Sequence, residues 1–133
     1  MGKRDDPNGD QFFALRTFRA DGTAVPTPIW LAGSGNRWYG YTPGRSWKVR
    51  RVRRDGRVEV ARSDFDGVPH SQWHVGEATV VSGRDLRTVK REMTAKYGNR
   101  FRLFRLVTLL ASPRNGSAVG LMIDLDTPIE NPE

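Results

Sequence analysis

Between Trp38 and Val60 the chain reads WYGYTPGRSWKVRRVRRDGRVEV, and here the residues able to do binding chemistry are concentrated. Thr42 and Ser46 supply hydroxyls. Lys48, Arg50, Arg51, Arg53, Arg54 and Arg57 supply six cations within ten residues, opposed there only by Asp55. Ser46 is placed to cap a short helix over Trp47 to Arg54, with Val49 and Val52 three apart as its apolar contacts. The backbone N–H groups opening such a helix would face the same anion as the side chains. Hydroxyls and cations at one strand-to-helix junction suit a phosphate group. Each charge-assisted hydrogen bond contributes about 1.5–3 kcal/mol, so three or four hold a phosphate firmly. The competing reading is a solvated basic surface helix.

Trp47 stands between Ser46 and Lys48, where a ring could stack on a flat heterocycle. The other large aromatics of the strands, Trp30, Trp38, Tyr39, Tyr41 and Trp73, are expected to fill the core. His70 and His74 are the two histidines. Four apart in a strand region, they share a face but lie too far apart to chelate one metal easily, so no metal site is expected. The chain contains no G-x-S-x-G elbow, no Walker A loop, no G-x-G-x-x-G and no H-E-x-x-H. Hydrolytic and kinase chemistry therefore find no support.

The bulk properties agree with an anionic partner. The chain has 133 residues, a formal net charge of +7, 37% hydrophobic and 28% charged residues, and no cysteine. That length is enough for one domain with its own core. No apolar run approaches the roughly 20 residues of a membrane span, so no membrane partner is expected. The opening MGKRDDPNGD carries charge without the apolar centre of a signal peptide, and a cytoplasmic location is expected. Nucleic acid, an acidic membrane surface and a polyanionic small molecule remain open on charge alone.

The elements that must position these residues read as follows. Residues 1–11 are a flexible tail, 12–126 one domain, and 127–133 a second tail. Phe12 to Arg19 is a strand, turned at Asp21-Gly22, and Thr23 to Leu31 returns as a second. Pro26 and Pro28 cannot donate to a ladder, so that second strand belongs at an edge. Ser34-Gly35-Asn36 reads as a turn into a third strand, Arg37 to Thr42. After the short helix, Arg57 to Ser63 and Ser71 to Val81 complete a five-strand meander. Leu86, Val89, Met93 and Tyr97 then share a helical stripe over Asp85 to Tyr97, with Gly98 as its C-cap. Asn99 would cap a second helix, Arg100 to Ala111, burying Phe101, Phe104, Val107 and Leu110. Ala118 to Leu125 is the last strand, apolar enough to be central. A mainly β (α+β) fold, a barrel-like sheet of about six antiparallel strands, is expected.

Taken together, the segment YTPGRSWK followed by RRVRRDGRVEV resembles the phosphate-binding segment of the pyridoxamine-phosphate-oxidase-like split β-barrel proteins. More closely, the chain resembles the actinobacterial branch that binds the deazaflavin coenzyme F420. The matching stretches are LRTFRADG at 15–22, VPTPIW at 25–30, SWKVRR at 46–51, VGEA at 75–78 and KYG at 96–98. The resemblance spans about Phe12 to Asp126. It implies a homodimer with a cofactor site at the subunit interface, and phosphate contacts from Thr42, Ser46 and Lys48, joined by Arg51. It also implies that Thr27, Pro28 and Trp30 run beside the ring of the cofactor. Trp47 departs from the Arg next to that Lys in flavin-binding oxidases, which favours F420 over FMN. Arg50, Arg53 and Arg54 would meet the coenzyme's polyglutamate tail. In such enzymes the cofactor carries the hydride, so no catalytic dyad is needed. The function implied is an F420-dependent reductase of an organic substrate. The alternatives are an FMN-binding oxidase-like protein, a cofactor carrier without turnover, or a barrel binding single-stranded nucleic acid.

Overall fold

A computed structural model of the chain describes residues 12–64 and 66–129. The expected tail at 1–11 lies outside the described residues. Six strands form one sheet: β1 (Phe13–Phe18), β2 (Ala24–Ile29), β3 (Leu31–Pro43), β4 (Arg57–Arg62), β5 (His74–Val81) and β6 (Ala118–Ile129). The helices are α1 (Trp47–Arg54), α2 (Gly83–Tyr97), α3 (Asn99–Leu110) and the single turn α4 (Ser112–Asn115). The strand order is β2-β1-β4-β5-β6-β3, with every pairing antiparallel. The sheet curls into a half-barrel, the split β-barrel expected. The Pro26 and Pro28 strand lies at an edge, as its missing donors require.

The connection between the second and third strands differs from expectation. The meander is broken, because β3 pairs with β6 and not with β2. Gly33 to Asn36 do not turn the chain; they lie within a thirteen-residue strand as an irregularity between Gly35 and Arg37. A Cβ on Gly33 would stand 2.3 Å from the Arg37 carbonyl oxygen. Asn36 Nδ2 donates to the Leu125 carbonyl at 2.7 Å, and Trp38 Nε1 to the Gly35 carbonyl at 2.9 Å. Glycine and asparagine suit a bulge for the same conformational reasons that suit a turn, so composition alone did not separate the two. The last strand also runs further than expected. It reaches Ile129, which is buried in the barrel.

Alternation along β3 sends Trp38 into the barrel and Tyr39 and Tyr41 to the outer face. Phe13, Leu15, Val58, Val60 and Leu121 fill the interior with Trp38. On the outer face, Val89, Met93 and Tyr97 of α2 pack over Tyr41, as the helical stripe predicts. Gly98 adopts φ +60° between α2 and α3, the conformation a terminating glycine supplies.

The buried face of α3 differs from the expected one. Phe101 and Thr108 are buried and Phe104 is half-buried, but Val107 and Leu110 are exposed. A strict three-residue repeat slips by about 60° per step on an α-helix and swings to the opposite side in three. The true inward stripe is therefore Phe101, Phe104 and Thr108. Its contacts include Phe101 and Phe104 edge-on to Tyr41, with centroids at 5.0 and 6.0 Å.

Candidate functional site

The position of α1 is set by local chemistry at both ends. Ser46 has extended backbone, and its Oγ accepts from the Val49 N–H at 3.4 Å, a long capping bond. The preceding loop is tied to the segment leading into the neighbouring strand β6: Gly44 N–H donates to the Ser117 carbonyl at 3.0 Å and Arg45 N–H to the Asn115 carbonyl at 2.9 Å. Only glycine fits at position 44, because a Cβ there would lie 2.4 Å from the Ser117 carbonyl oxygen. At the other end Asp55 N–H closes on the Arg51 carbonyl, and the Gly56 carbonyl accepts from Ala78 N–H at 2.8 Å. Val49 and Val52 are buried beneath the helix.

This fixed helix holds one wall of a cleft of about 580 Å³ lined by Arg19, Val25, Thr27, Trp47, Lys48 and Arg51. The opposite wall is β2 with the end of the β1–β2 hairpin. Arg51 is buried, and its Nε donates to Thr17 Oγ1 at 2.6 Å. Burial lowers its pKa, and the guanidinium groups of Arg19 and Arg54 lower it further. The Lys48 ammonium is likewise pushed down, first by burial and then by repulsion from Arg51. Among the described residues Lys48 has no carboxylate partner; the ion pairs Arg16–Glu59 and Arg37–Asp124 lie elsewhere. A buried and a half-buried cation that repel one another, with no carboxylate partner among the described residues, gain from an anion in the cleft. Thr27 Oγ1 is the second signal. It is buried with no hydrogen-bond partner among the described residues, although its residue lines the same cleft.

Trp47 is 68% exposed at the mouth, with the Arg50 guanidinium 4.8 Å from its ring centroid. Arg54 Nη2 donates to the Phe18 carbonyl. The basic run is thus no uniform solvated strip. Arg51 and Arg54 turn inward to β1, Arg50 lies on a ring, and Lys48 faces the cleft.

The eight residues singled out from sequence do not all meet. Thr27, Trp47, Lys48 and Arg51 share the cleft. Ser46 lines a second cleft of about 490 Å³ on the other side of α1, with Arg45, Arg50, Arg114 and Asn115. Thr42 is buried in β3 opposite Val119 and lines neither cleft. Pro28 is exposed on β2. Trp30 lies under the helices, stacked on Tyr97 at 4.8 Å and tilted against Phe104. Arg19 and Val25 also line the cleft, beyond the residues expected from sequence. Both sit in stretches noted for family resemblance, but nothing local marks them; only the hairpin geometry brings them to α1. His74 Nδ1 is 3.2 Å from Thr127 Oγ1.

No family model and no curated protein matches the chain by sequence. Solved structures match its shape. A conserved hypothetical protein from Mycobacterium tuberculosis aligns with TM-score 0.65 and 21% identity, over 93% of this chain and 78% of that one. A pyridoxamine 5'-phosphate oxidase-related, FMN-binding protein from Nostoc punctiforme gives 0.60 and 17%, over 86% and 70%. An F420 reductase gives 0.56 and 16%, over 90% and 89%. At such identities the likeness establishes the fold. The chain shares the split β-barrel of pyridoxamine-phosphate-oxidase-like proteins.

Proposed function

We propose that the chain is an oxidoreductase that binds a phosphorylated flavin-type cofactor in the α1 cleft, the deazaflavin coenzyme F420 rather than FMN. The observation that carries this reading is a cleft in which Lys48 and Arg51 have no carboxylate partner among the described residues and whose wall includes Thr27 Oγ1, unpaired among those residues. When bound, the cofactor supplies hydride transfer to an organic substrate. Lys48 and Arg51 neutralise its phosphate, Thr27 hydrogen-bonds one of its polar edges, and Trp47 covers a ring face. Ser46 fixes where the helix begins. Trp47, in the place where flavin oxidases of this type carry arginine, favours the deazaflavin. One side of the cleft is open, and in this reading a second copy of the chain completes it.

Titration of the purified protein with F420 and with FMN, followed by fluorescence, tests the assignment. F420 should bind with Kd below about 100 μM and more tightly than FMN. Failure of both to bind rejects the cofactor site, and tighter FMN binding reverses the choice. Anaerobic mixing of the reduced coenzyme with planar conjugated acceptors then separates a reductase from a carrier, which would bind but leave the coenzyme reduced.

A further inference from the structure

The outward side of α3 has no role in the cofactor reading. Leu103, Leu106, Val107, Leu109 and Leu110 are 51–73% exposed on this one helix. At 100° per residue Leu103, Leu106 and Leu110 form a ridge along its crest, opposite the buried Phe101 and Thr108. Arg100 and Arg102 flank that ridge, Arg105 lies further round, and Arg114 follows in α4; all four are exposed. Residues 99–115 contain no aspartate or glutamate. An apolar crest of this kind calls for a covering surface.

We infer that this face of α3 docks on an anionic phospholipid surface, with the leucines in the acyl boundary and the arginines among the headgroups. Charge selects this occupant. A second copy placed by a twofold axis would bring the arginines towards their own kind across the interface. A nucleic-acid backbone would satisfy the arginines but leave the leucines in water. An anionic bilayer meets both: apolar side chains of the ridge enter the acyl boundary while the flanking arginines stay among the headgroups. The helix lies on the membrane and does not cross it: twelve residues span only about 18 Å, and no described helix is long and apolar enough to cross. The docking does not depend on which cofactor the α1 cleft holds.

Co-sedimentation of the full chain with vesicles tests this, using pure phosphatidylcholine and an equal mixture of phosphatidylcholine and phosphatidylglycerol. Binding should be strong to the mixture, weak to phosphatidylcholine, and reduced by salt. The double variant Leu106→Asp/Leu110→Asp should lose it, with an unchanged circular dichroism spectrum. The double variant Arg102→Gln/Arg105→Gln should bind the mixture about fivefold less for each arginine removed. Equal binding to both vesicle types, or none, overturns the proposal. So does retained binding by the aspartate variant. Sedimentation velocity of the same proteins decides the remaining rival: a dimer that the aspartate substitutions dissociate assigns the ridge to a second copy and overturns the lipid assignment.

Discussion

Helices α1 and α3 are both short and both rich in arginine, yet they use charge in opposite ways. In α1 the two valines are buried, and Arg51 and Arg54 are tied back to Thr17 and Phe18 on β1. That leaves Lys48 at the cleft wall with no carboxylate partner among the described residues. In α3 the only wholly buried side chains are Phe101 and Thr108, and the leucines face outward between arginines. A fixed cation beside a cleft recognises one small anion. Cations scattered around an exposed apolar ridge suit a surface. Local composition is similar in the two helices; what differs is which side of each meets the sheet.

The largest expected effect separates the helices by stability. Val49→Asp, which buries a carboxylate under α1, should cost about 4 kcal/mol or more and unfold much of the protein. Leu106→Asp on α3 should stay within about 0.5 kcal/mol of the parent. Urea denaturation of both variants checks the contrast, and equal losses would erase it. Next is Lys48→Ala, which should weaken F420 binding by about 1.5–3 kcal/mol, roughly ten- to a hundredfold, with little change in the melting temperature. Thr27→Val should weaken it by about 0.5–1.5 kcal/mol while leaving the free protein as stable or slightly more so, since an unpaired buried hydroxyl is removed. A large stability loss in Thr27→Val would show that the hydroxyl is a structural contact.

The smallest effect is in pH. Burial and Arg51 lower the Lys48 pKa in the free protein, whereas a bound anion favours the charged form and raises it again. Affinity is therefore highest below that lowered pKa and falls as pH rises through it, because binding must then take up a proton. In Lys48→Arg the fall should move to higher pH. A binding curve flat with pH, or falling equally in both proteins, would remove Lys48 from the site.

How far the sequence revealed this arrangement depended on the range of the determining contacts. Helix α1 was legible to the residue, because Ser46 and the Asp55-Gly56 turn mark its ends locally. The edge position of β2 followed from two prolines. The pairing of β3 with β6 joins residues about eighty apart, and no local pattern announces it. Gly35 and Asn36 carry chemistry common to turns and bulges, so their strand assignment waited on that pairing. At the site, Trp47, Lys48 and Arg51 are neighbours in sequence and share the cleft, and Thr27 joined them through family resemblance. Arg19 reaches the same cleft only through the β1–β2 hairpin. Thr42 lies on the interior face of β3 but is buried opposite Val119, away from the cleft lining, and Trp30 packs on the outer face under the helices.

The central claim is that the α1 cleft holds the phosphate of a flavin-type cofactor through Lys48. Equilibrium titration of F420 into the parent protein and Lys48→Ala, side by side at neutral pH and low salt, tests it most directly. Binding by the parent with Kd below about 100 μM, weakened at least tenfold in the variant, is the predicted result. Equal affinity in the two proteins would contradict it.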